Sequence, residues 1–412
     1  MLKKTKKMLL TSLVAAASAV TLVGCSSGSG DSDDAIEVFS NKSESIETYK
    51  KLIKDFEEKH PDINIELNAP PEAETVLKTR MTKGDMPEIM SIGGNATYGE
   101  IARAGMLHDF SGTEMAEKVQ PAYKKMVNDL VGSEEDALYG LPYATNANAV
   151  IYNKDLMKEL GLEVPQTWDQ FIATLEKAKN AGITPIYFTL KDAWTGMIPW
   201  NSIAANVAGE DFAKKKNAGK ASFQEDYDKV ATKMLTLLEY GHKDNFGVAY
   251  GDGNKAFANG ESLYYLQGNW AIPEIKKINP DINLGVFAMP VTNDPAKNEL
   301  VSGVDVLLTA SKKAGDNEDV MTFLKYMMED EQAQQYIDEQ KAFSALKGIY
   351  QDDPVFAGIK ENFENGKLTS YPDHYYPSGM QAQNLIQEFL INKNKEEFLK
   401  NMDEEWEKVQ NR

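Results

Sequence analysis

Apolar and polar positions alternate along this chain with two periods. Ile36–Phe39 is a short β-prone run. Ile46, Tyr49, Leu52, Ile53 and Phe56 then recur at helical spacing with Lys and Glu between them, which predicts an amphipathic helix. Pro61 stops that pattern, so His60 reads as a helix end, and Ile63, Ile65 and Leu67 alternate as a strand does. Ile89–Ile92, between Pro87 and Gly93-Gly94, is another strand-like run. This strand–helix–strand rhythm predicts an α/β fold on an open, largely parallel sheet with helices on its faces.

The same reading extends toward the C-terminus. Thr167-Trp168-Asp169-Gln170 has the form of a capping box, followed by a buried stripe of Phe171, Leu175 and Ala178 and a stop at Gly182. Val320, Phe323, Leu324 and Met327 mark a late helix. Leu385, Phe389, Leu390, Phe398, Met402 and Trp406 are the buried positions of a helical C-terminal third. Asp252-Gly253-Asn254 reads as a turn. It fails as a calcium loop, because the twelfth position counted from Asp252 is Leu263, where a bidentate glutamate is needed.

The first residues break the pattern. Lys3, Lys4, Lys6 and Lys7 form a cationic head, and Met8–Gly24 is apolar but diluted by Thr11, Ser12, Ser18 and Thr21, too short for a good membrane span. The segment ends in Leu22-Val23-Gly24-Cys25, which resembles a bacterial lipobox. Residues 1–24 are therefore expected to be a lipoprotein signal peptide, with Cys25 carrying acyl chains that anchor by burying CH₂ groups, each contributing about 0.8 kcal/mol. Residues 25–35, small and polar, read as a tether.

Cys25 is the only cysteine. The mature part thus has no disulfide, no cysteine nucleophile and no thiolate metal site, and must be held by burial. Removing 24 residues from 412 leaves 388, which suits two domains. No second linker follows the tether, so the domains are expected to share the chain and be crossed more than once. The full chain carries a formal charge of −19; without the four lysines of its head the remainder stands at −23. No basic face is available for nucleic acid.

Catalytic chemistry finds little support. His60, His108, His242 and His374 lack the spacing of a helical zinc site, and no GxSxG or phosphate-binding loop is present. No cofactor and no metal are expected. The aromatics are more informative, because sugar rings offer apolar C–H faces and a rim of hydroxyls, matched by flat aromatic rings and planar polar groups. Trp194 and Trp200 lie in the loop-like KDAWTGMIPWN, Trp270 follows Gly268-Asn269, and Tyr371, Tyr375 and Tyr376 lie in TSYPDHYYPSG. Trp194 and Trp270 read as ligand contacts, while Trp200, Trp168 and Trp406 read as packing. In open α/β sheets ligands bind beyond strand carboxyl ends, where Ser40-Asn41-Lys42 and Gly93-Gly94-Asn95 fall. Both are also ordinary turn sequences.

Three long stretches carry a resemblance: YGLPYATNANAVIYNKDLMKELGLEVPQTWDQF, AFANGESLYYLQGNWAIPEI and NLGVFAMPVTNDPAKNELVSGVDVLLTASK. Together with the lipobox, FSNKSE and MPEIMSIGGN, they resemble the extracellular solute-binding proteins of family 1, the maltose-binding-protein-like receptors of sugar ABC transporters. The likeness covers nearly the whole mature chain. Within the family it is nearest the multiple-sugar and raffinose-type lipoproteins of Gram-positive bacteria.

The resemblance implies a two-lobe periplasmic-binding-protein-like α/β fold with discontinuous lobes, a hinge and a ligand in the interlobe cleft. Residues 36–146 would form the N-lobe and 147–300 the C-lobe, with 301–345 returning to the N-lobe and 346–412 supplying C-terminal helices of the C-lobe. Matched motif to motif, Asn41, Lys42, Asn95, Asn146, Trp194, Trp270, Gly303 and Asp305 become ligand-binding positions, with Tyr375 from the aromatic loop. Asn146 stands where maltose binders carry a carboxylate, and the N-lobe tryptophan of maltodextrin binders has no counterpart near Ile92–Asn95; both depart from maltose. The implied partners are an oligosaccharide, the transmembrane subunits of an ABC permease and, through the lipid, the outer face of the cell membrane. A monomer is expected. On the residues alone, a glycan hydrolase, a receptor for a non-sugar solute and a two-lobe adhesin stay open. The hydrolase would need two carboxylates facing the sugar across about 5–9.5 Å.

Overall fold

The computed structural model describes residues 35–132, 137–209 and 211–411; the expected leader, Cys25 and the tether up to residue 34 lie outside the described residues. In chain order the strands are β1 (Ile36–Ser40), β2 (Ile65–Asn68), β3 (Ile89–Ile92), β4 (Leu141–Asn153), β5 (Thr184–Ile186), β6 (Ser262–Gly268), β7 (Leu284–Phe287), β8 (Leu300–Ala310), β9 (Phe343–Ser344) and β10 (Leu368–Thr369). They pair in the order β2-β1-β3-β8-β4-β6-β5, with β7 and β9 also on β4 and β10 on β8.

The pairing corrects one expectation. β1 runs parallel to β2 and β3, and β5 to β6, but β8 runs antiparallel to β3 and β4, and β4 antiparallel to β6 and β7. The sheet is therefore mixed. Short apolar runs with helices between them reveal local strands, but not how strands separated by more than a hundred residues pair.

The two long strands organise the molecule. The first half of β4, Leu141–Ala147, pairs with β8, and its second half, Asn148–Asn153, pairs with β6 or β7. One core gathers on the first side, with Phe39, Tyr49, Leu52, Phe56, Leu307 and Leu324 inside it. A second gathers around Phe171, Leu175, Trp200, Tyr264, Phe389 and Trp406, and a smaller third around Ile151, Tyr265, Ile275 and Phe356. A buried side chain of this size contributes about 1.5–3 kcal/mol, so each core is substantial without a disulfide. The result is a two-lobe α/β architecture with β4 and β8 passing from one lobe to the other.

Local signals mostly hold. The helix Ile46–Lys59 buries Tyr49, Leu52, Ile53 and Phe56 and is capped by His60, whose ring stacks on Phe56 at 4.6 Å. The capping box forms: the Thr167 hydroxyl accepts from the Gln170 N–H at 3.3 Å, and Gln170 Oε1 accepts from the Thr167 N–H at 3.2 Å. Val320, Phe323, Leu324 and Met327 are all buried in the helix Glu318–Met327. Of the C-terminal positions, only Leu385 is part-buried.

Two loop readings are corrected. Asp252-Gly253-Asn254 lies inside the helix Tyr250–Ala258, where burial of Asn254, Ala256 and Phe257 outweighs the turn preference of Asp, Gly and Asn. The stretch around Trp194 is a short 3₁₀ turn, Ala193–Gly196, running into the helix Met197–Val207, and Trp200 is fully buried in that helix.

Candidate functional site

The site grows from an irregularity in the two crossing strands. Ala144 pairs with Val306 and Thr145 with Val304, so β8 advances two residues while β4 advances one. Asp305 is the extra residue. A bulge of this kind re-aims a side chain, and here it presents the Asp305 carboxylate to groups from other elements. Lys42, two residues beyond β1, brings its ammonium to 2.5 Å from Asp305 Oδ1. Asn146, opposite Gly303 where β4 changes partners, donates Nδ2 to the same oxygen at 2.9 Å. Three predicted residues separated by up to 263 positions thus form one cluster.

The charges tune one another. Burial pulls the Lys42 ammonium toward losing its proton, but the carboxylates of Asp305, Glu44 and Glu74 outweigh it and hold its pKa above the ordinary value. Lys42 is a permanent cation at neutral pH and a donor. Loss of water around the Glu44 carboxyl raises its pKa and the Asp305 carboxylate adds to the rise, with the Lys42 charge opposing both.

Asn95 serves the backbone first. Its Oδ1 accepts from the N–H groups of Thr97 at 3.0 Å and Tyr98 at 3.3 Å, capping the helix Ala96–Arg103. Its Nδ2 donates to Glu74 Oε1 at 3.0 Å, which fixes a carboxylate that sequence reasoning missed. Nothing in the local sequence separates Glu74 from the many other acids of this chain. Asn41, beside Lys42, holds a buried Oδ1 with no hydrogen-bond partner.

The aromatic loop enters from the other side. The Tyr371 ring lies so close to Gly303 that a Cβ there would come within 2.8 Å of Cδ2, so the glycine makes room for it. His374 stacks on Tyr371 at 4.8 Å, and Asn201 donates Nδ2 to Asp373 Oδ1 at 2.9 Å. Burial lowers the His374 pKa and raises that of Asp373, and Glu74 acts on both in the opposite sense to their neutralising neighbours' pull on Asp373. Tyr375, half-buried, borders a cavity of about 10 Å³ together with Gly303, His374, Met126 and Leu130. That is barely room for one water.

The predicted tryptophans stand on the second side. Trp194 is 40% exposed and meets Tyr250 edge-on at 5.1 Å between centroids. Burial raises the pKa of the Tyr250 hydroxyl, and the Glu274 and Glu44 carboxylates add to the rise. Trp270 folds over Gly268, where a Cβ would fall 2.1 Å from the ring, and its buried Nε1 has no partner. Asn146 Oδ1 is likewise buried and unpartnered. An unpaired buried polar atom costs about 1–3 kcal/mol, and such atoms call for an explanation. Two acceptors without partners, on Asn41 and Asn146, thus accompany the Lys42–Asp305 pair, and a donor without a partner, Trp270 Nε1, follows β6. Among the described residues no group of three or more His, Cys, Asp and Glu is arranged to hold a metal ion, and no helix is long and apolar enough to cross a membrane.

The profile of the bacterial extracellular solute-binding proteins matches residues 41–334. The multiple sugar-binding protein of Streptococcus mutans is 31% identical over 85% of both chains. The melibiose/raffinose/stachyose-binding protein of Bacillus subtilis is 22% identical over 88% of this chain and 86% of its own. Among solved structures, RafE in complex with raffinose superposes with a TM-score of 0.80 at 25% identity, covering 91% of this chain and 99% of its own. The apo form of RafE from Streptococcus pneumoniae gives 0.74 at the same identity, over 91% of this chain and 97% of its own.

Proposed function

Because this chain belongs to the bacterial extracellular solute-binding proteins, we propose that it is the receptor of an ABC importer that captures an oligosaccharide and hands it to the permease subunits. The finer reading is an α-galactoside or an α-1,6-linked gluco-oligosaccharide, bound by a monomeric receptor held to the outer face of a Gram-positive cell membrane by lipid on Cys25. The named sugars of the relatives support the first part of that reading, and the Leu22–Cys25 motif supports the anchor.

One observation carries the proposal: a buried Asn146 Oδ1 without a partner belongs to the residue that donates to Asp305, and a second such oxygen, Asn41 Oδ1, stands one residue from Lys42 of the Lys42–Asp305 pair. A sugar hydroxyl both donates and accepts, so a single ligand class completes all of them. Lys42 donates to hydroxyl oxygens, Asp305 accepts from hydroxyls, and Trp194 and Trp270 lie against pyranose faces. Gly303 keeps the strand open to Tyr371, and Asn95 acts through Glu74. No residue is assigned a covalent step. Closure removes water from these bonds, and the ligand drives it only as far as it binds the closed form better.

The test is calorimetric and thermal-shift titration of residues 35–412 with raffinose, melibiose, isomaltotriose, maltotriose and xylo-oligosaccharides. A ligand at a hundredfold excess over Kd adds about 2.7 kcal/mol of stability. Binding of one sugar class, weakened at least about tenfold in Trp194→Ala, equivalent to about 1.4 kcal/mol, is the expected outcome. Trp194 is exposed enough that its loss leaves the fold intact. Binding of none of these sugars, or cleavage of one, would overturn the proposal.

A further inference from the structure

The loop Tyr371–Gly379 is rooted in one core and meets the other at its tip. At its root, Trp200 Nε1 donates to the Tyr376 hydroxyl at 3.1 Å, and that hydroxyl reaches Tyr227 at 3.3 Å. Tyr376 and Met380 are buried in the same core as Trp200, and Asn201 secures Asp373 at 2.9 Å. At its tip, Ser378 Oγ lies 3.2 Å from Thr97 Oγ1. Thr97 is buried in the first turn of a helix belonging to the other core, and its own N–H is already taken by Asn95. The cavity of about 10 Å³ under His374 and Tyr375 shows the loop nearly in contact with Met126 and Leu130 of that core.

Two carboxylates flank this contact: Glu74, held by Asn95 two residues before Thr97, and Asp373, five residues before Ser378. Glu74, held by Asn95 on one wall, raises the energy of the ionised Asp373 on the other. His374, Lys42 and Asp305 face the same space: His374 feels the charges of Asp373, Lys42, Asp305 and Glu74, and Glu44 faces Lys42 and Asp305.

We propose that the Thr97–Ser378 contact is a latch that holds the two walls closed, and that Glu74 against Asp373 is the spring that opposes it. These residues position the walls and set the open–closed balance. The inference rests on the capture reading, since a balance of this kind serves a receptor that must both hold and release. A hydrogen bond between neutral groups shifts such a balance about two- to twelvefold. Glu74 is exposed to solvent, so its reach onto the more buried Asp373 weakens as salt is added.

The experiment measures the distance between spin labels on residues 35–412, which contain no cysteine of their own. One label sits at Lys50→Cys and one at Lys229→Cys, both exposed and on helices of different cores. Distances are read without ligand and with each sugar of the titration panel. Thr97→Val and Ser378→Ala are each expected to lower the ratio of closed to open protein about two- to twelvefold, with no further loss in the double variant. Glu74→Gln, which keeps an acceptor for Asn95, is expected to raise the closed fraction at low salt and to do so less at high salt. Unchanged closed fractions in the Thr97 and Ser378 variants overturn the latch, as do fully additive losses. No closed population without ligand in either the native or the Glu74→Gln protein overturns the balance. A Glu74→Gln variant that binds sugar more weakly with an unchanged ligand-free distribution makes Glu74 a sugar contact instead. If no sugar alters any distance, the capture reading fails on its own, while the ligand-free distances still decide the latch.

Discussion

At the scale of single residues, Asp403 is a buried, multiply bonded anchor outside the site. It is only 6% exposed and accepts from the N–H groups of Phe223 at 2.8 Å and Gln224 at 3.1 Å, and its Oδ1 lies 2.7 Å from the Lys216 ammonium. The Lys216 side chain is itself 7% exposed. Removing one partner of a buried pair leaves the other charge stranded and costs about 3–5 kcal/mol. Asp403→Ala should therefore lose stability on that scale in urea unfolding, with Asp403→Asn recovering part of it through the backbone bonds; a loss below about 1 kcal/mol in Asp403→Ala would show the pair to be replaceable. Residue-level legibility in the sequence was uneven for a related reason. Lys42, Asn146 and Asp305 were named through motifs, and their meeting at one oxygen depends on a bulge that no local pattern announces. Asn95 also caps a helix with its side-chain oxygen and positions Glu74 with its amide, roles that the short Gly-Gly-Asn motif does not announce. Glu74 and Asp373 are illegible in the sequence, because a single carboxylate carries no signature in a chain with 63 acidic residues.

At the scale of elements, period and capping made the helices and short strands readable, because those depend on neighbours a few positions away. The helix Tyr250–Ala258 was hidden because its sequence favours a turn and its stability comes from packing. Its two interior glycines make that argument testable. A Cβ on Gly253 would come within 2.1 Å of Thr189 Cγ2 and 2.9 Å of the Tyr265 hydroxyl, whereas a Cβ on Gly251 meets nothing within 4 Å. Overpacking costs about 1–3 kcal/mol, while alanine favours an open helix position over glycine by about 1 kcal/mol. Gly253→Ala should lower the melting temperature and Gly251→Ala should hold or raise it. Equal effects from the two would show that helix propensity, and not the close approach to Thr189, governs this segment.

At the scale of the whole molecule, the two-lobe plan followed from length, the absence of a second linker and a family resemblance, while the mixed sheet did not, since strand partners lie far apart in sequence. The anchor has its own prediction: Cys25→Ser should move the protein from the membrane fraction to the medium of a Gram-positive host, measured by fractionation and by loss of labelled palmitate. Retention at the membrane would refute lipid attachment at Cys25. The crossing strands also govern when the molecule can fold. The first core draws on Ile36–Ala144 and again on Val304–Ile349. No early stretch of the chain contains a complete hydrophobic interior, so a growing polypeptide has nothing to lock onto until most of it has been synthesised. An exported chain gains from that delay, because a secretion channel passes polypeptide that has not yet folded, and both ends of this architecture must emerge before the structure can form.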